Sequence, residues 1–140
     1  MISYSEREVF TGRELGLLRR AQVLVGLARH EMGHDGELRC HELARAVGTV
    51  MELEHCDGWY GMHSHSWLWT TEPDRFDAQN HPNMFAPPNI LDVYALGRLP
   101  QVQLIRSGSG LPYEYRRGDP RTDIHDDVIH DLLKAFGWTE

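Results

Sequence analysis

The chain has little cysteine: two residues, Cys40 and Cys56, among 140. Two thiols exclude the disulfide framework that holds many small secreted domains together. They are also badly spaced for a single bond. A helix over 37–53, rising ~1.5 Å per residue, carries them well beyond the ~7 Å Cα separation that a disulfide tolerates. Long apolar runs are missing too. No stretch approaches the ~18–20 residues that span a bilayer. Met1 to Phe10 carries Glu6, Arg7 and Glu8 and lacks the apolar stretch of a secretory leader. The expectation is a cytoplasmic protein without a membrane partner. Basic charge is scarce as well: 14 Lys and Arg stand against 21 Asp and Glu, for a net charge of -7. Phosphate binding needs the opposite sign, which argues against nucleic acid as the main partner. Some of the acid is local. Asp119, Asp123, Asp126, Asp127 and Asp131 crowd one stretch and read as a solvated helix face with acid at its N-terminus.

What is present is the composition of an ordinary globular domain, 41% hydrophobic and 25% charged. A length of 140 residues fits one domain over 1–140, large enough to bury a core without staples. Thr11 and Glu14 have capping-box spacing, so a first helix begins near Thr11. Leu15, Leu18, Val25 and Met32 continue one face, and Val23, Leu24, Leu27 and Ala28 widen it. So broad an apolar surface predicts a central, buried helix, which Gly33, Asp35 and Gly36 end. A second helix is expected over about Glu37 to Leu53, with Asp35 as N-cap and Leu43, Val47, Val50 and Met51 inward. One turn back from Leu43 and Ala44 lies Cys40, on the buried side near the helix N-terminus.

Glu54 to Gly58 reads as a turn and Trp59 to Thr71 as an aromatic-rich strand. The proline-rich stretch 72–88 reads as a long loop of the kind that often serves function. Strands are expected over Asn89–Ala95 and Pro100–Arg106, a loop over 111–122, and a last helix over Asp123–Phe136 with Gly137 as its stop. Helices, then strands, then a helix make an α+β pattern: N-terminal helices packed on a small antiparallel sheet, with a C-terminal helix.

Three residue types in this layout point to thiol chemistry. A nucleophilic cysteine needs a lowered pKa, a base within hydrogen-bond reach and a group that fixes the base. The helix N-terminus favours thiolate at Cys40. On the following strand, a period of two places His63, His65, Trp67 and Trp69 on one face, so either His63 or His65 qualifies as the base. On the next strand, Asp92 is the single carboxylate among apolar residues, and an unpaired buried carboxylate is costly. His41 reads as a solvent-facing helix residue, with tuning of the thiolate as the alternative, and Cys56 as structural or incidental.

The order Cys40, then His65-Ser66-Trp67, then Leu91-Asp92 resembles the transglutaminase-like, papain-like cysteine superfamily. There a Cys on a helix precedes a His-small-Trp strand and an Asp on the next strand. The resemblance covers roughly Gly36 to Tyr94 and favours His65 over His63. It implies acyl transfer on a peptide or protein amide through a Cys40–His65–Asp92 triad, without a cofactor. Trp67 and Trp59 are the expected substrate-binding residues. A competing signal is His30-Glu31-Met32-Gly33-His34, which matches H-E-x-x-H. On one helix face His30 and His34 would hold zinc with Glu31 as general base. A third expectation is a non-catalytic interaction domain on the same fold.

Overall fold

The computed structural model describes residues 10–31, 38–70, 88–95, 101–106, 109–114 and 123–139. Among these, three helices accompany a five-stranded antiparallel sheet, as an α+β pattern requires. Helix α1 spans Gly12–Glu31, α2 Cys40–Met51 and α3 Asp126–Ala135; the strands are β1 His55–Tyr60, β2 His63–Trp69, β3 Ile90–Asp92, β4 Gln103–Ile105 and β5 Tyr113–Glu114. The sheet order is β4-β3-β2-β1-β5.

Helix α1 begins with a reciprocal capping box. The Glu14 N–H donates to Thr11 Oγ1 at 3.1 Å, and the Thr11 N–H donates to Glu14 Oε1 at 3.0 Å. The other oxygen of Glu14 accepts Thr70 Oγ1 at 2.8 Å and Asn89 Nδ2 at 2.9 Å. One carboxylate thus ties the start of α1 to the end of β2 and the approach to β3. The helix is less enclosed than its apolar content predicts. Ala21, Leu24, Val25 and Ala28 are buried, whereas Val23 and Leu27 are 65% and 40% exposed. The packed stripe is narrow because only α2, α3 and β4 make substantial contact with α1 among the described elements.

Helix α2 begins at Cys40, later than the sequence pattern suggests. Arg39, in extended conformation, is the N-cap and makes no side-chain capping bond; Asp35, the expected cap, lies outside the described residues. Leu43, Ala44, Val47 and Met51 face the core. Gly48 lets the helix approach the sheet closely: a Cβ there would lie 2.8 Å from the Leu53 carbonyl oxygen and 2.9 Å from Leu68 Cδ2.

The expected single strand over 59–71 instead takes in the end of one strand and the whole of the next, joined as a hairpin. β1 begins within residues read as a turn, and Gly61 takes the left-handed conformation at φ +61° between the arms. Asp57 and Gly58 look like turn residues but are needed inside the strand. A Cβ at Gly58 would sit 2.6 Å from the Trp67 ring and 2.5 Å from the Glu114 carbonyl oxygen. Glycine there lets the Trp67 ring and strand β5 close over β1. Strand β5 itself falls within the stretch read as a loop. Of the 72–88 loop, all but Pro88 lies outside the described residues.

The pleat divides the sheet between two apolar clusters. Leu68 and Leu91 join the main core of α1, α2 and α3. Cys56, Trp67, Trp69, Ile90 and Ile105 form a second cluster, with Tyr113 packed against it. Residues 65 and 66 on β2 therefore face different surroundings.

Candidate active site

The site gathers where the N-terminus of α2 meets β2. Cys40 is the first residue of the helix, so its thiol is close to the uncompensated N–H groups of the first turn. It is a free thiol and only partly buried. His65 comes from the middle of β2, paired with Gly58 across the hairpin. Asp92 ends β3 and is fully buried. The structure brings all three together. His63, the alternative base, is exposed near the hairpin turn opposite Tyr60.

The hydrogen bonds assign a nitrogen to each task. His65 Nε2 donates to Asp92 Oδ2 at 2.7 Å. The same oxygen accepts Tyr113 Oη at 2.6 Å, and Oδ1 accepts the Tyr94 N–H at 3.0 Å. Asp92 is thus a buried carboxylate with three donors, as its burial demands. Because Nε2 is committed to Asp92, Nδ1 is the nitrogen left for its hydrogen bond with the Cys40 sulfur.

Electrostatics follow from this arrangement. Burial alone raises the Cys40 pKa, but hydrogen bonds and charge from His41 and His65 overcome it and bring the thiol down from 9.0 to about 6. Burial lowers the His65 pKa, and the hydrogen bonds to Asp92 and Cys40 reverse this and carry it up to about 9. Between about pH 6 and about pH 9 the pair is therefore a thiolate and an imidazolium. Cys56 behaves oppositely. Its burial, with Asp57 nearby, pushes the thiol well above 9.0, leaving an inert core sulfur.

Sequence reasoning missed one member of this cluster, Tyr113, and favoured the wrong surroundings for another, His41. Tyr113 lies on a two-residue strand that no periodicity reveals, yet its hydroxyl completes the Asp92 shell. His41 is not solvent-facing: it is 9% exposed, its Nδ1 is 2.7 Å from Ser66 Oγ, and it stands 3.8 Å from Cys40 Sγ. The helix starts at residue 40 rather than 37, and position 41 on its first turn then faces β2. Trp67, one of the two expected substrate-binding residues, offers no exposed surface. It is fully buried, with ring contacts to His65, Trp69 and Tyr113, and supports the histidine from within the second apolar cluster. Trp59 is half-buried on β1, between Ser64 and Glu114 on the adjacent strands.

The alternative zinc signal divides between two regions. His30 and Glu31 end α1 and are exposed, while His34 lies outside the described residues. Among the described residues no three His, Cys, Asp or Glu side chains converge as a metal site. No described helix is long and apolar enough to cross a membrane. No protein-family model, curated protein or solved structure matches the chain.

Proposed function

We propose that the chain is a cysteine-dependent acyl-transfer enzyme of the transglutaminase-like kind, acting on peptide or protein amides. The observation that carries this reading is the chain of contacts Cys40–His65–Asp92, with the histidine held on Asp92 through Nε2 and interacting with the thiol, which leaves Nδ1 for the sulfur. A satisfied core histidine needs no thiol beside it, and a core cysteine needs no helix N-terminus. Together they make an activated nucleophile.

The reaction begins from the ion pair, the Cys40 proton already residing on His65 Nδ1. The thiolate attacks the amide carbonyl carbon, and the carbonyl oxygen takes up the negative charge. The Cys40 backbone N–H is the expected donor to that oxyanion. The C–N bond then breaks as His65 Nδ1 returns its proton to the departing amine, leaving a thioester on Cys40. In the second half His65 takes a proton from the acceptor. Water yields hydrolysis or deamidation, and a primary amine yields a new amide. Asp92 keeps the ring in place and stabilises its charged form throughout.

The test offers unfolded casein and a fluorescent primary amine to the full-length protein. Fluorescence incorporation, released ammonia and new N-termini are measured together, and intact mass reports acyl adducts on Cys40. Activity in any channel, lost in Cys40→Ala and His65→Ala and insensitive to chelator, supports the reading. A wild-type Cys40 that alkylates like an ordinary thiol overturns it, and chelator-sensitive hydrolysis that survives Cys40→Ala transfers the chemistry to the H-E-x-x-H segment.

A further inference from the structure

A second polar chain reaches the same sulfur from the other side of β2. Ser66 follows His65, so the pleat points its hydroxyl to the opposite face. Ser66 Oγ stands 2.7 Å from His41 Nδ1 and 2.6 Å from Asp57 Oδ1, and Asp57 Oδ2 in turn accepts Arg45 Nη2 at 2.6 Å. Consecutive helix residues, Cys40 and His41, thus meet consecutive strand residues, His65 and Ser66.

Counting protons settles the direction of each bond. Asp57 is ion-paired to Arg45 and accepts only. Ser66 has one hydroxyl hydrogen, and the carboxylate takes it. Ser66 must therefore accept from His41, so Nδ1 of His41 carries a hydrogen. Nδ1 itself lies 3.8 Å from Cys40 Sγ, so its one hydrogen is shared: Ser66 Oγ is the near acceptor and a sulfur anion the far one of a three-centre bond. We infer that His41 is a second hydrogen-bond donor to the Cys40 thiolate, held in its Nδ1–H form by Ser66 and Asp57 as positioning residues. The inference rests on the proposed thiol chemistry and adds a division of labour to it. With Nδ1 already protonated, His41 does not take the Cys40 proton through that nitrogen; it stabilises the charge that His65 creates. Ser66 is buried, and its hydroxyl bridges Asp57 and His41.

Other charged groups border this corner. Arg39 precedes Cys40 but is bonded to Glu42 and to the Asp123 carbonyl oxygen. Arg45 is committed to Asp57 and to the His41 carbonyl oxygen, and on the far side Asp92 holds His65 and Tyr113. His55 Nε2 also stands 3.9 Å from Asp57 Oδ2.

The test is the pH profile of Cys40 alkylation by iodoacetamide in the full-length protein, with thiolate absorbance as a second readout. His41→Ala and Ser66→Ala should each move the acid inflection upward by about 1 pH unit, the usual scale for one lost hydrogen bond to a charged group. At about pH 5.5 that shift cuts the alkylation rate roughly three-fold after allowing for the higher intrinsic nucleophilicity of a more basic thiol. His41→Asn keeps an N–H near the Nδ1 position and should restore the wild-type profile. Superimposed profiles for wild type, His41→Ala and Ser66→Ala overturn the inference while leaving the triad intact. A His41→Asn profile shifted as far as that of His41→Ala overturns it too. A wild-type profile with the inflection of an ordinary thiol overturns the triad and this inference together.

Discussion

Replacing Asp92 by Asn should silence Cys40 in acid while leaving most of the fold's contacts in place. Asn keeps an oxygen for the Tyr94 N–H. Its amide, however, presents donors where His65 Nε2–H and Tyr113 Oη already donate, so the imidazolium loses its counter-charge and burial drives the ring to neutrality. The size of the effect follows from the thiol. With a pKa of about 6 against an ordinary 9.0, Cys40 at about pH 5.5 is roughly one-quarter thiolate, where an ordinary cysteine is about 0.03% thiolate. That is roughly 800-fold more anion. A less basic thiolate is a weaker nucleophile, and a Brønsted slope of ~0.4–0.5 over this fall removes about 20-fold. About 40-fold remains at about pH 5.5, while the same reckoning at about pH 7 leaves only about four-fold. The acid side is therefore where the assay discriminates. Iodoacetamide rates are measured from about pH 5 to 9 and the labelled peptide is mapped; buried Cys56 stays unlabelled in the native protein. Asp92→Asn should lose at least about 10-fold at about pH 5.5 and show an inflection well above that of wild type. Coincident profiles for the two proteins would refute the coupling of Asp92 to the thiol through His65.

Three further outcomes follow from the packing and the buried carboxylates. Gly58→Ala places a methyl 2.6 Å from the Trp67 ring and 2.5 Å from the Glu114 carbonyl oxygen. It should cost about 1–3 kcal/mol, read as a lower urea midpoint; an unchanged midpoint would show that β5 yields freely. Glu42 is fully buried and accepts Arg39 Nε at 2.8 Å and the His125 N–H at 3.1 Å, joining the starts of α2 and α3. Arg39 is partly exposed and water can replace its partner, so Glu42→Ala should destabilise by about 1–3 kcal/mol in chemical denaturation, whereas an unchanged midpoint would show the tie to be idle. Glu14, Glu42 and Asp57 all have pKa values below their ordinary 4.5, 4.5 and 3.8, because their hydrogen bonds outweigh the upward push of burial. Depressed folded values contribute stability that is present above the unfolded pKa and lost as pH falls through the folded one. Thermal stability should therefore fall below about pH 4.5, and Glu14→Gln should flatten that decline; an equal acid slope in the variant would count against it.

The sequence was most legible where local chemistry is self-contained. The Thr11–Glu14 capping box and the apolar stripe of α2 announce their elements directly, and so does the lone carboxylate of β3. Cys40 was readable because its distance from Leu43 and Ala44 is a matter of helical period. Other features depended on distant neighbours. Gly58 looks like a turn until the Trp67 ring occupies the space its missing side chain leaves. Strand β5 holds two residues, too few for alternation to be seen, so Tyr113 had no signal of its own. His41 was misread because a shift of the helix start alters which first-turn positions meet the sheet. In His65-Ser66-Trp67 the middle residue passes for a small spacer, yet its hydroxyl has its own partners on the opposite face of β2.

The two cysteines also make this chain a reporter on its own folding. In the unfolded polypeptide Cys40 and Cys56 are near-equivalent thiols, both sluggish in weak acid. Folding drives them apart, burying one into silence and waking the other. The waking requires segments around residues 40, 65 and 92 to have met, a long-range assembly that an unfolded chain does not possess. An acid pulse of alkylating reagent during refolding would therefore count only molecules in which α2, β2 and β3 have come together. A nascent chain would carry its nucleophile disarmed until β3 docks.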